Sequence, residues 1–219
     1  MSKFIKDNGL SLVLLFLFLG SIIGHWLTGW HFQNQQLQDH GQSPISLLAF
    51  LKDPQFLSTV FENWESEFLQ MAAYVVLTAV LFQRGSAESA DPDAGAREGD
   101  RRPLKTKADA PAPMHRGALA RWVYGRSLGI ALLLLFAASF LMHWVFSAKE
   151  AAAEAALHGT AALSPLEYLT SARLWFESLQ NWQSEFLSTA VIVVLSIFLR
   201  QKGSPESKPV SAPHNQTGA

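Results

Sequence analysis

Two carboxylates stand in a motif that the chain contains twice. The motif reads NWESEFL at Asn63–Leu69 and NWQSEFL at Asn181–Leu187, so Glu67 and Glu185 occupy equivalent positions. Each of them lies where an apolar run begins, and an ionised group there is costly unless it is paired, hydrated or protonated. We therefore take Glu67 and Glu185 as the first candidate functional residues.

Two histidines could join these carboxylates. His25 and His143 are also equivalent, and each lies near the end of a strongly apolar segment. Neutral imidazole and carboxylate together can ligate a divalent metal or relay protons. Neither histidine belongs to a spaced ligand motif such as HExxH, so a position at the membrane interface is the alternative. The candidate polar cluster comprises His25, Glu67, His143, Glu185, Asn63 and Asn181, and the predicted interfacial anchors are Trp26, Trp64, Trp144 and Trp182.

These residues recur because the chain repeats itself. A shift of 118 residues aligns Asn8–Ser89 with Arg126–Ser207 without a gap, and 29 of the 82 aligned positions are identical. A repeat of this kind constrains the architecture more than any other feature of the sequence.

The apolar residues are concentrated in blocks that predict membrane spans. Leu10–Leu27 and Leu128–Val145 each provide 18 residues, or roughly 27 Å of helix. Each repeat then has a shorter apolar run, Phe68–Phe82 or Phe186–Leu199, which needs a helix extending upstream. In the first repeat we expect that helix to cover Pro54–Arg84.

We therefore predict an all-α membrane protein with four transmembrane helices from a tandem parallel repeat of two spans each. The two halves are expected to be related by a pseudo-two-fold axis along the membrane normal. The first repeat is predicted at 1–85, with spans at about 10–30 and 66–83, and the second at 118–203, with spans at about 126–146 and 184–200. A disordered cytoplasmic linker is predicted at 86–117 and a disordered cytoplasmic tail at 204–219.

The basic residues predict the orientation. Two basic residues precede the first predicted span, and nine lie in the segment from Arg84 to Arg126, both ends included. Three follow the last span, and the two outer connections contain one and two. The positive-inside rule then places both termini and the linker in the cytoplasm. The chain has no cysteine, which excludes disulfides and thiolate metal ligands, and its net charge of −1 gives no general attraction to nucleic acid.

Several segments resemble a family of bacterial integral membrane proteins that is recorded as a domain of unknown function. They are NGLSLVLL, HGQSPISLLAFL, ENWESEFLQM, LFQRGSAES and QNWQSEFLSTAVIVVLSIFLRQKGSPESKPV. The resemblance covers nearly the whole chain apart from the linker. It implies a multi-pass protein of the bacterial inner membrane and brings no catalytic residues with it.

Three classes of function are compared on this basis. A non-enzymatic structural or envelope-associated protein requires no special chemistry, and its expected partner is the lipid bilayer. The alternative is transport of a small ion, proton or metal through His/Glu pairs at the repeat interface, which requires a homo-oligomer because four spans form a thin bundle. An enzyme is disfavoured, since GxSxG, HExxH and a Gly-rich phosphate loop are absent from the sequence. We predict no catalytic residue, cofactor or resident metal.

Overall fold

The structure, a computed structural model, describes residues 3–95 and 110–218, and every regular element in these ranges is a helix. This confirms the predicted all-α class. The elements are α1 (Lys3–Asp39), α2 (Leu47–Phe50), α3 (Pro54–Leu77), a 3₁₀ turn (Ala112–His115), α4 (Ala118–Tyr124), α5 (Ser127–Leu157), α6 (Pro165–Tyr168) and α7 (Ala172–Phe198).

Three of these helices, α1, α5 and α7, are long and apolar enough to cross a membrane. The most apolar part of α1 contains no buried residue, and Leu10 and Phe16 are 76% and 75% exposed. Apolar side chains displayed along a whole helix suit contact with lipid tails. The structure therefore indicates a membrane protein with three candidate spans among its described residues, and the fourth predicted span stays a prediction.

Helix α3 is shorter than the sequence indicates. We expected one helix over Pro54–Arg84, but α3 ends at Leu77. Past that point the Leu81 N–H bonds to the Leu77 carbonyl over 2.7 Å, and the Thr78 hydroxyl bonds to the Tyr74 carbonyl, also over 2.7 Å. The apolar end of α3 consequently covers only about 15 Å, roughly half of a bilayer core.

Helices α1 and α5 continue beyond the predicted spans and end immediately before a His-Gly pair. The two glycines, Gly41 and Gly159, have φ angles of +68° and +65°, which favour glycine. The next N–H bonds back into the last helical turn, over 2.7 Å at Gln42 and 2.9 Å at Thr160. These are Schellman-type C-caps.

By its contacts the described chain divides into two units. The first comprises Met1–Phe61 with Met142–Ser171, and the second comprises Glu62–Leu141 with Ala172–Ala219. We call them the first and second unit. Buried polar residues are prominent in both, with Ser58 and Ser147 in the first unit as examples. Small polar residues let helices approach closely and hydrogen-bond in membranes.

In the first unit, side chains of α1 hold the returning loop through its main chain. The indole N–H groups of Trp26 and Trp30 donate to the carbonyls of Leu47 and Ile45 over 3.0 and 2.8 Å. The Asn34 side chain donates to the Ile45 carbonyl over 3.1 Å and accepts from its N–H over 2.7 Å. These bonds satisfy loop backbone groups that have no helical partner.

In the second unit, the GSAES and GSPES sequences form the same turn. Their first glycines, Gly85 and Gly203, have φ angles of +83° and +85°. Their last serines, Ser89 and Ser207, each accept a bond over 2.9 Å from the N–H six residues earlier. At Gly85 a Cβ atom would lie only 2.8 Å from the carbonyl oxygen of His214. Both the positive φ angle and the lack of space therefore require glycine at this position.

The chain after α7 is organised around one lysine, although the sequence predicts disorder for 204–219. Lys208 is only 1% exposed, and its Nζ lies within hydrogen-bond distance of four carbonyl oxygens, those of Gly85, Pro213, His214 and Gln216, which share its three N–H donors. Burial and the charge of Arg200 lower the pKa of Lys208, while the four acceptors replace its water shell. Composition does not reveal this carbonyl cage, and the disorder predicted for 204–219 stays a prediction.

The predicted linker, 86–117, is described in part. Residues 86–95 form turns, and the Arg84 guanidinium lies 2.7 Å from the Asp93 carboxylate on the surface. Such an exposed ion pair adds little stability. Residues 110–117 contain the 3₁₀ turn, while the disorder predicted for 96–109 concerns residues outside the described part of the chain.

The lysine cage leads to the first prediction. Lys208→Met keeps the length of the side chain but removes the donors to the four carbonyls. We expect local opening of 204–218 to cost about 1.4 kcal/mol less, since hydrogen bonds from charged groups contribute on this scale. Limited proteolysis should show cleavage in this segment about tenfold faster. Lys202→Met, at an exposed lysine of the same turn region, should leave the rate unchanged; equal acceleration in both variants would contradict the cage.

The length of α3 decides the topology and leads to the second prediction. The absence of cysteine permits single-cysteine labelling at three exposed positions, Asp7→Cys, Gln42→Cys and Asn215→Cys. If α3 completes a fourth crossing, a membrane-impermeant thiol reagent should label 7 and 215 from one side and 42 from the other. Labelling of 7 and 215 from opposite sides would mean that α3 does not cross.

Candidate functional site

The two histidines of the candidate polar cluster lie in the first unit. Nε2 of His25 lies 3.1 Å from the Thr59 hydroxyl, and its ring centroid is 5.2 Å from that of Phe56. His143 is fully buried. His25 therefore takes part in the packing of α1 on the start of α3, and the predicted convergence of both histidines with Glu67 and Glu185 stays a prediction.

The first unit contains two further polar contacts that the sequence did not indicate. The Ser58 hydroxyl donates to the carboxylate of Glu150, and the hydroxyl groups of Ser147 and Tyr168 lie 2.8 Å apart. Both serines and Tyr168 are buried. A fully hydrogen-bonded buried group adds specificity to packing, since the alternative is an unsatisfied donor or acceptor.

The repeated NWxSEFL motif contacts its own second copy in the second unit. Glu65 is fully buried, and its Oε1 accepts the indole N–H of Trp182 over 2.8 Å. One turn earlier, the Asn181 side chain donates to the carboxylate of Glu62. The Asn-Trp pair of copy two thus provides donors to two carboxylates of copy one, and both bonds are strengthened by the negative charge.

Sequence reasoning missed Glu62 and Glu65 because it valued what the copies share. The equivalent residues in copy two are Gln180 and Gln183, so these carboxylates exist in one copy only. The available signal was that Glu changes to Gln at two positions, one next to and one within an otherwise shared motif, so the two copies differ in charge there. The shared Asn63 and Glu67, by contrast, are exposed.

Polar contacts continue along the two copies toward the GSxES turns. The Gln70 amide donates to the Thr189 hydroxyl over 2.7 Å, and the hydroxyl groups of Ser86 and Ser196 lie 2.9 Å apart. Interhelical bonds of this type contribute about 0.6 kcal/mol each in membranes. We call the four contacts the polar ladder; its pairs are Glu62–Asn181, Glu65–Trp182, Gln70–Thr189 and Ser86–Ser196.

An aromatic group surrounds the Glu65 contact. The ring of Trp182 lies edge-on to Trp175, with centroids 6.3 Å apart, and 6.2 Å from Phe136. Phe140 lies 6.1 Å from Trp175. Edge-to-face aromatic packing excludes water, and a lower local dielectric strengthens the indole–carboxylate bond. Trp182 is thus a hydrogen-bond donor within the unit, and the interfacial-anchor role predicted for it and for Trp26, Trp64 and Trp144 stays a prediction.

The two carboxylates singled out from the sequence interact with each other. Glu185 is half-buried, and its carboxylate is close enough to that of Glu67 for electrostatic repulsion. Within residues 3–95 and 110–218, no group of three or more His, Asp or Glu is arranged to hold a metal ion. Of the two carboxylates, Glu67 is the one exposed to solvent.

A cavity of about 290 Å³ lies beside the Gln70–Thr189 pair of the polar ladder. Its polar lining includes Gln70, Thr189, Tyr74 and Glu88, and the Tyr74 hydroxyl donates to the Glu88 carboxylate. Burial raises the pKa of Glu88, and the charge of Glu206 raises it further, against the Tyr74 bond, which lowers it. The remaining walls are mostly apolar, among them those from Leu77, Leu81, Phe82, Phe186 and Val193.

The Glu65–Trp182 contact leads to the third prediction. Trp182→Phe keeps an aromatic ring but removes the N–H donor, so we expect the free energy of unfolding to fall by about 1–3 kcal/mol. Glu65→Gln replaces the buried carboxylate that accepts this N–H with a neutral amide. The double variant should therefore lose less than the two single losses together, with a coupling energy of about 1 kcal/mol.

Denaturant unfolding of the four proteins in detergent micelles measures this coupling. Trp122→Phe serves as the matched control, because Trp122 is 53% exposed and lies outside the polar ladder. It should change the free energy of unfolding by less than about 0.5 kcal/mol. If the losses in free energy of unfolding at positions 65 and 182 simply add in the double variant, the Glu65–Trp182 bond does not contribute to stability.

Comparisons with known proteins place the chain in a family. No curated protein matches it, and no solved structure matches it. The family described as Domain of unknown function (DUF6766) matches residues 1–219. Because this match covers the full length of the sequence and agrees with the all-helical, apolar architecture, the chain belongs to the DUF6766 family.

Proposed function

We propose that this chain is a non-enzymatic integral membrane protein with a structural, envelope-associated role. The observation that carries the proposal is the polar ladder. The donors and acceptors of the repeated motif bind each other, as Glu65 and Trp182 do over 2.8 Å. Side chains that hold two helices together stabilise a scaffold, whereas a catalytic group must reach a substrate.

The burial of Glu65 supports this argument energetically. A carboxylate with no exposed surface loses its hydration, and removing a partner from such a group is strongly destabilising. The strict geometry of the Trp182 donor therefore suits a side chain that fixes the alignment of two helices better than it suits a reactive group. This is the use of a buried polar residue that is best supported in helical assemblies.

Matched local structures support a tandem repeat with two parallel halves. Trp26 donates to the Leu47 carbonyl over 3.0 Å, and Trp144 donates to the Pro165 carbonyl over 2.7 Å, with both members offset by 118 residues. The short helices α2 and α6 begin at equivalent positions. On this basis we infer a pseudo-two-fold axis along the membrane normal, with α3 as the fourth crossing.

The proposed location is a bacterial inner membrane, with both termini and the linker in the cytoplasm. The excess of basic residues in the linker and at the termini supports this orientation. The exposed apolar surfaces of α1 and α5 suit contact with lipid tails, which supports the lipid bilayer as the proposed main partner. We expect no binding of nucleic acid.

One observation favours a second function, transport of a small ion or proton. The repeat-related carboxylates Glu67 and Glu185 are close enough to repel each other, and Glu67 is exposed. Two interacting carboxylates can share and pass on a proton. A path through so thin a bundle requires a homo-oligomer.

A flux assay separates the two functions and is the fourth prediction. The full chain is reconstituted into liposomes, and proton flux and divalent-metal uptake are compared with protein-free vesicles. Under the structural proposal, native protein and Glu67→Gln/Glu185→Gln should both match the protein-free baseline. Flux in the native protein that the double variant abolishes would overturn the structural proposal in favour of transport. Gln183→Ala, at an exposed residue of the same motif outside the candidate polar cluster, is the matched control and should behave like the native protein.

A further inference from the structure

Two histidines outside the predicted polar cluster meet in the first unit. His40 follows α1 and His158 follows α5, and each belongs to the His-Gly pair that the two repeats share. Their ring centroids lie 5.4 Å apart, and the ring planes are 81° to each other. Both side chains are exposed. The outer connections differ in most of their sequence, yet they keep this residue and bring its two copies together.

The distance between the rings matches a shared metal ion. Imidazole nitrogen binds Zn²⁺ at about 2.1 Å with tetrahedral angles, which holds two ligating ring centroids roughly 5 Å apart. The observed 5.4 Å is within a few tenths of an ångström of that value. Ligation requires both exposed side chains to turn until one nitrogen of each ring faces the ion, and neither is held by surrounding packing.

The main chain prepares one of the rings for ligation. Nδ1 of His40 lies 2.8 Å from the Gln36 carbonyl oxygen. A carbonyl only accepts, so Nδ1 carries the proton in this bond and Nε2 of the neutral ring keeps its lone pair. Donation of the other ring N–H to a carbonyl is the usual outer-shell arrangement of a metal-binding histidine.

The helix ends hold both residues in place. Gly41 and Gly159 adopt nearly equal left-handed φ angles, +68° and +65°, immediately after the two histidines. The C-caps therefore fix His40 and His158 at equivalent points, each one residue past the end of a long helix. A site built on fixed helix ends pays less ordering entropy on binding than one on a loose loop.

We propose that His40 and His158 form a binding site for a late first-row divalent transition-metal ion, such as Zn²⁺ or Cu²⁺. These ions prefer imidazole ligands. The protein provides two ligands, because no group of three or more His, Asp or Glu occurs in the described residues, and water completes the coordination shell. Binding clamps the ends of α1 and α5 within the first unit. This inference goes beyond the proposed structural function and does not depend on it.

Zn²⁺ titration tests the proposal and is the fifth prediction. The full chain, prepared without a polyhistidine tag, is titrated in detergent micelles by calorimetry. We expect one ion per chain, with the affinity falling by about tenfold or more in His40→Ala and in His158→Ala, since each loses half of the protein ligands. His31→Ala, an exposed histidine of α1 in the same unit, should bind Zn²⁺ like the native chain.

Cu²⁺ provides a readout that a structural effect would not produce. Electron paramagnetic resonance should show coupling to two imidazole nitrogens in the native chain and to one in each single variant. Thermal unfolding checks that the variants remain folded. Native affinity no higher than that of His40→Ala/His158→Ala, or an equal loss in His31→Ala, would overturn the site and leave the ring contact as simple packing.

Discussion

An ionised carboxylate can remain inside a helical membrane protein only if donors replace its water. Glu65 meets this condition with no exposed surface and a 2.8 Å bond from the Trp182 indole. The bond has one geometry, because indole has a single N–H and cannot accept. A shift of α7 by one residue would rotate Trp182 by about 100° away and leave the carboxylate without this donor. The register of α3 against α7, and with it the rest of the polar ladder, therefore depends on this contact.

The two copies of the repeat divide the chemistry between them. Copy one has carboxylates at Glu62 and Glu65, whereas copy two has the amides Gln180 and Gln183. Gln180 and Gln183 are both exposed, whereas Glu65 is buried and Glu62 is half-buried. Equivalent positions therefore have different surroundings in the two copies, and copy one places its carboxylates beside Asn181 and Trp182. The local turns of the two copies nevertheless remain alike.

Periodicity and composition predicted the parts of the fold that depend on local forces. The apolar runs indicated α1 and α5. The predicted end of α3 was wrong by several residues, because the apolar run continues to Phe82 whereas the helix ends at Leu77, and hydropathy alone does not determine where a helix ends. The contacts of Lys208 were not predicted, because its carbonyl partners come together only in the folded chain.

The sequence by itself determined the helical class, the apolar helices and the doubled motif, since each of these follows from residue type and spacing along one segment. Tertiary structure decided which polar residues matter. It paired Glu65 with Trp182 and His40 with His158, residues more than a hundred positions apart, while leaving Asn63 and Glu67 exposed. Spacing along a helix shows which face a side chain occupies, but only the packing of distant segments determines what that face meets.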